Sequence, residues 1–229
     1  MLLFVRYLAG LCCVLWLSAC SSNSSALMET LKQANPFAKP PAVQLLPRYS
    51  YLRTVVSGRV LYLALGYVDA RPEGDLETWY SASGEVIRLL NGRIFSTAGL
   101  ATDWRAVRAP SVPAWASLAA AAATKAPAKP AGPWRYARER DAMPGYRFGI
   151  QEQVEIKAVP APSASQLDGV RADSLLWFQE QMTGPGAEAL PVARYGVEVQ
   201  AGQAKVIYSE QCVSAQLCFS FQHLPEVAP

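Results

Sequence analysis

Asn91 and Gly92 separate two short strand-forming runs, Glu85-Val86-Ile87-Arg88-Leu89-Leu90 and Arg93-Ile94-Phe95-Ser96-Thr97. An Asn-Gly pair in that setting calls for a type I′ turn, whose two positive φ angles match the twist of antiparallel strands. The same punctuation recurs through residues 49–99. Ser57-Gly58 divides Tyr51-Leu52-Arg53-Thr54-Val55 from the run Arg59 to Val68. Arg71-Pro72-Glu73-Gly74-Asp75 and Ser83-Gly84 flank a further strand from Leu76 to Ala82. A chain built this way folds as a meander of hairpins.

Strand signals resume after residue 133, over Trp134 to Arg140, Tyr146 to Ala158, Leu175 to Met182, Arg194 to Gln200, Lys205 to Gln211 and Leu217 to Leu224. Tyr146, Phe148 and Ile150 alternate with Arg147, Gly149 and Gln151, the period of a half-buried strand. The count is about ten strands, with no long helix and no internal repeat. The expected fold class is all-β, an antiparallel meander curled into a half-barrel or open barrel. Residues 109–133 break the pattern with Pro110, Pro113, Pro127, Pro130 and Pro133 around an alanine run from Leu118 to Ala123. This reads as a short helix in an Ala/Pro-rich connection inserted in a single β domain, 49–229.

The N-terminus sets the compartment. Arg6 is the only charge in the first twenty residues, and Tyr7 to Trp16 form an apolar stretch of ten. That is half of the roughly twenty residues a spanning helix needs, and it suits a signal-peptide core. Leu17-Ser18-Ala19-Cys20 then has the form of a bacterial lipobox, with small residues to fit a peptidase groove and a thiol to take the lipid. Residues 1–19 are accordingly expected to be removed as a signal peptide. Residues 20–48 become a lipidated tether with an extended, proline-marked lead-in, including a helical turn over Leu27 to Lys32. Palmitate-type acyl chains on Cys20, each buried methylene contributing about 0.8 kcal/mol, would hold the chain on a membrane. Ser21 is not the aspartate that signals inner-membrane retention, so the expected site is the periplasmic face of the outer membrane.

Composition narrows the function. The net charge is +3, with 21 basic and 18 acidic residues and no basic run longer than two. Nucleic-acid binding would show a clustered basic stripe. A single histidine, His223, leaves little for a histidine-built metal site or a histidine-dependent hydrolase. No cofactor is called for. Once residues 1–19 are gone, Cys212 and Cys218 join Cys20 as the remaining cysteines. In an oxidising space this close pair is expected to form a structural disulfide. Its spacing is not that of a CxxC redox pair, and no cation adjoins it.

Several side chains qualify as candidate sites. Trp79, Tyr80, Trp104, Trp134, Tyr136 and Trp177 are candidates for stacking on sugar rings, although aromatics also serve strands as core. Glu73 with Asp75, and Glu152 with Glu155, are the nearest carboxylate pairs for glycoside hydrolysis. Arg138-Glu139-Arg140-Asp141 alternates in sign and reads as a solvated edge. His223, between Phe221 and Leu224, reads as a packed or edge residue.

The lipobox, Tyr51-Leu52-Arg53, Leu61-Tyr62-Leu63-Ala64-Leu65-Gly66-Tyr67-Val68 and Asn91-Gly92-Arg93-Ile94 together resemble the YjbF/GfcB-type lipoproteins of group 4 capsule and exopolysaccharide loci. The likeness is fullest over residues 17–100. The proline-alanine segment and the cysteine pair depart from the family pattern. The resemblance implies a half-barrel meander and a role in producing or exporting a surface polysaccharide. It further implies an outer-membrane barrel and other periplasmic proteins of the locus as partners, the polysaccharide itself as a possible one, and no assigned catalytic residue. Two other readings stand beside this non-enzymatic accessory role: a polysaccharide-modifying hydrolase using paired carboxylates, and a lipoprotein that only braces the envelope.

Overall fold

A computed structural model of the protein describes residues 45–123, 133–183 and 190–225. Cys20, the lipobox and the helical turn expected over Leu27 to Lys32 lie outside the described residues, as do Pro127 and Pro130.

Twelve strands form one antiparallel sheet: Tyr51–Val56 (β1), Arg59–Arg71 (β2), Gly74–Tyr80 (β3), Val86–Leu90 (β4), Arg93–Ala98 (β5), Asp103–Arg108 (β6), Trp134–Met143 (β7), Arg147–Val159 (β8), Leu176–Thr183 (β9), Ala193–Gln200 (β10), Gln203–Cys212 (β11) and Cys218–His223 (β12). A helix over Trp115–Ala123 (α1) and a 3-10 turn over Ala172–Ser174 complete the described elements. Each strand pairs with its chain neighbours, with one exception. β1 pairs with β12, while the consecutive strands β5 and β6 stand at the two ends of the strand order. The sheet is thus a nearly closed barrel with one unsealed seam, between β5 and β6.

The expected turns fall where their chemistry requires. Asn91 and Gly92 have φ of 50° and 78°, and Ser57-Gly58 and Ala201-Gly202 adopt the same pair of positive angles. Gly66 sits where the β2–β3 register slips, and the Tyr80 ring occupies the space a β-carbon would need. The Leu-Gly-Tyr segment is therefore a bulge covered by an aromatic ring. Helix α1 begins earlier than the alanine run, at Trp115, and buries Trp115, Leu118 and Ala119.

Alternating antiparallel strands put successive connections at opposite ends of the barrel. The lead-in at residues 46–50 shares one end with the turns at 72–73, 91–92 and 201–202, the segment 109–114 and the end of β12. We call this the proximal end. The distal end carries the turns at 57–58, 81–85, 99–102, 144–146 and 213–217. There, Cys212 and Cys218 form the expected disulfide, closing the β11–β12 hairpin.

Two apolar clusters form the core. One gathers Leu52, Leu63, Trp79, Ile87, Leu89, Ile94, Trp104, Phe219 and Phe221. The other packs α1 through Trp115 and Leu118 against Tyr136, Val154, Ile156, Phe178, Tyr195 and Val206. A smaller cluster of Leu175, Trp177 and Tyr208 packs against Leu167 and Val170 of the β8–β9 connection. Gln222 fastens that connection through both polar atoms, accepting from Asp168 N and donating to Asp168 O.

One expectation is overturned. Arg138-Glu139-Arg140-Asp141 lies on β7, which is paired on both sides and is no edge. Arg140 is fully enclosed, and both Arg138 and Arg140 turn onto the buried carboxylate of Glu152 at 2.7 and 2.8 Å. Glu139 and Asp141 meet Arg108 instead. Strand alternation splits the tetrapeptide, two cations to one face and two acids to the other.

Candidate functional site

The β4–β5 turn is the centre of the proximal end. Gly92 approaches β11 so closely that a β-carbon there would lie 2.5 Å from Val206 Cβ. Asn91 Nδ2 donates to Glu73 O at 2.6 Å, and Asn91 O accepts from Trp115 Nε1 at 2.8 Å. The turn is therefore pinned to the β2–β3 turn on one side and to α1 on the other. A hollow opens on each flank.

One hollow is the mouth of the seam, with a volume of about 420 Å³. Leu90, Ile94, Phe95, Val107, Ala109 and Val112 give it an apolar lining, with Arg71, Arg93 and Arg108 around it. Arg71 and Arg88 lie over the Phe95 ring, at 5.2 and 5.7 Å from its centre. Arg71 is paired with Asp69, and Arg108 with Glu139 and Asp141.

The second hollow is polar, with a volume of about 200 Å³. Asp75 and Glu77 reach it from β3; two residues apart on a strand, they share a face. Lys205 comes from β11 just past the Ala201-Gly202 turn, and His223 from the last residue of β12. Glu77 is held before any ligand arrives. Its Oε2 accepts from Trp79 Nε1 at 3.0 Å and lies 2.8 Å from His223 Nε2, while the imidazole packs edge-on against Trp79 at 5.5 Å. Burial alone would raise the Glu77 pKa, but the hydrogen bond and charge of His223, the Trp79 bond and nearby Lys205 outweigh it, so the carboxyl titrates below its usual range.

Beneath the seam lies a charged knot. Arg93 pairs with Glu180 at 2.8 Å, and its guanidinium stacks 3.7 Å from the Trp115 ring centre. The hydroxyls of Tyr136 and Tyr195 lie 3.3 and 3.1 Å from Glu180 Oε2. Burial, reinforced by the Glu180 charge, pushes both phenols upward, so they remain protonated. Gln211 reaches from β11 to the seam strand, accepting from Ile94 N at 2.9 Å and donating to Gly92 O at 2.8 Å. A side chain thereby takes up backbone groups that a thirteenth strand would otherwise pair.

The aromatic candidates are not gathered in one surface. Trp79, Trp104, Tyr136 and Trp177 are buried, and their polar atoms are committed inside the protein: Trp104 Nε1 to Val213 O, Trp177 Nε1 to Ala172 O. Tyr80 is exposed over Gly66, and Trp134 is half-buried on β7. Of the carboxylate pairs, Glu152 is enclosed by Arg138 and Arg140, and Glu155 pairs with Arg135. Glu73 and Asp75 fall in different hollows. The grouping of Asp75 with Glu77, Lys205 and His223 was missed, because these residues are spread over three strands. Only the strand register brings them together.

An all-β barrel with an unsealed seam, behind an N-terminus that has the form of a lipobox, fits the class of envelope lipoproteins. Residues 24–221 match the family model described as group 4 capsule polysaccharide lipoprotein gfcB, YjbF, and the chain belongs to that family. The crystal structure of the hypothetical lipoprotein YmcC from Escherichia coli (K12) is similar in fold, at 18% identity and a TM-score of 0.57, covering 87% of this chain and 97% of that one. No curated protein matches the sequence.

Proposed function

We propose that this protein is a non-catalytic accessory lipoprotein of capsule or exopolysaccharide production or export. The lipid on Cys20 holds it at the periplasmic face of the outer membrane, beside an outer-membrane barrel and other periplasmic proteins of the same locus. The observation that carries the reading is the family match over residues 24–221. The enclosed carboxylates agree with it. Glu152 and Glu180, the buried acids of the barrel interior, are clasped by arginines, an arrangement that fixes charge rather than passing protons to a substrate.

The test is deletion in the producing strain, with complementation by the wild-type chain or by Cys20→Ala. Surface polysaccharide should fall on deletion with its repeat unit unchanged. It should return with wild type, which fractionates with the outer membrane, and not with Cys20→Ala. Unchanged polymer output on deletion would overturn the reading. Purified polymer incubated with the protein should keep its size distribution; shortening abolished by a single acid substitution would establish the hydrolase instead.

A further inference from the structure

We infer that the polar hollow at the proximal end is a binding site for uncharged, hydroxyl-rich pyranose residues of the polysaccharide; the inference rests on the capsule reading above. A sugar's neighbouring hydroxyls each donate and accept, so a site for them needs fixed acceptors and donors side by side in a concave wall. Asp75 and Glu77 supply acceptors, Lys205 supplies donors, and His223 supplies an imidazole edge. Glu77 and His223 are already locked by each other and by Trp79, so their ordering is not charged against binding. Asp75 and Lys205 make no side-chain hydrogen bond among the described residues, which leaves both available to a ligand. Trp115, Ala204 and Val206 provide the carbon surface.

The charge of the hollow selects the class. Two carboxylates face one lysine and one histidine, so a uronate would meet like charge at Asp75 and Glu77, whereas a neutral or N-acetylated sugar meets none. The seam mouth next to it has a wall mostly of carbon, from Leu90, Ile94, Phe95, Val107 and Val112, with its arginines and Glu73 around that wall.

His223 is the only histidine in the chain, so its imidazole proton resonances report on this hollow alone. The experiment titrates the full lipidated protein in detergent micelles with the surface polysaccharide purified from the producing strain, and separately with alginate as an all-uronate control. The purified polymer should shift the His223 signals saturably, and alginate should not. The double variant Asp75→Ala/Lys205→Ala, checked for an unchanged thermal midpoint, should need at least tenfold more polymer for the same shift. An unmoved His223 signal, an equal response to alginate, or full affinity in the double variant would each overturn the site. If deletion abolishes the capsule while His223 stays silent, the site fails and the accessory role survives. If deletion leaves the capsule intact, the accessory role fails whatever His223 does.

Discussion

Gly92 meets two demands at one position, a φ of 78° and the 2.5 Å approach to Val206 that lets the β4–β5 turn tuck against β11. Gly58 meets only the first: its φ is 74°, and a β-carbon there would touch nothing within 4 Å. The pair separates backbone strain from crowding. Gly58→Ala should cost about 1 kcal/mol, the price of a left-handed residue with a β-carbon. Gly92→Ala should cost about 3 kcal/mol, because overpacking against β11 adds to that strain. Urea unfolding of both variants measures the difference, and equal costs would mean that the turn moves freely off β11. Glu77 supplies a second test at this scale. Its carboxyl titrates below its usual 4.5 in the folded chain, so it contributes stability above pH 4.5 that is lost as pH falls through the folded value. Glu77→Gln should therefore flatten the acid limb of the stability curve. Thermal midpoints between pH 3 and 7 would show a steeper decline in wild type than in the variant.

At the scale of elements, the seam strand β5 depends on a side chain from the opposite wall. Gln211→Ala would leave Ile94 N–H and Gly92 C=O without partners in a buried setting, a loss of about 3 kcal/mol. Hydrogen exchange at Ile94 should accelerate far more than at β10–β11 amides, which keep their ladder. Removing the hairpin disulfide with Cys212→Ser and Cys218→Ser closes off a smaller term, about 2 kcal/mol for so short a loop. The strands that could be read from sequence were those with clean punctuation. Asn91-Gly92 and Ser57-Gly58 each carry a turn geometry in two residues, so the hairpins around them follow locally. Strand β6 gave no such signal. Asp-Trp-Arg-Ala-Val-Arg is short, contains two arginines and slips register between Trp104 and Ala106, which destroys the alternation a strand is recognised by. The interior role of Arg138 and Arg140 was hidden for a related reason. A pattern of alternating charge is the same whether one face meets water or a buried Glu152, and only the partner strand β8 decides.

Across the whole molecule, closure comes from the least local pairing in the chain, β1 with β12, while the gap falls between two strands joined by only four residues. No periodicity could have announced that, since each strand is individually well formed and the gap is a matter of how far the cylinder curls. Among the described residues, the hydrogen bonds that latch the seam lie at the distal end. Thr97 Oγ1 accepts from Trp104 N at 3.0 Å and donates to Asp103 Oδ1 at 2.9 Å, and Asp103 also accepts from Gly99 N and Leu100 N. At the proximal end the strands part around the 420 Å³ mouth. Both openings disturb the core that holds Leu52, Ile94, Trp104, Phe219 and Phe221, but parting β5 from β6 breaks only one small hydrogen-bonded cluster besides, whereas parting β1 from β12 breaks a five-pair ladder. The barrel should therefore open locally along β5 and β6 at a free energy well below that of global unfolding. Thr97→Val keeps the shape and removes both latch bonds. It should speed exchange of the Trp104 amide and its β6 neighbours at least tenfold and leave β1, β11 and β12 at wild-type rates. Uniform acceleration across all twelve strands would show instead that the barrel opens only as one unit and that the seam is no weaker than its ladders.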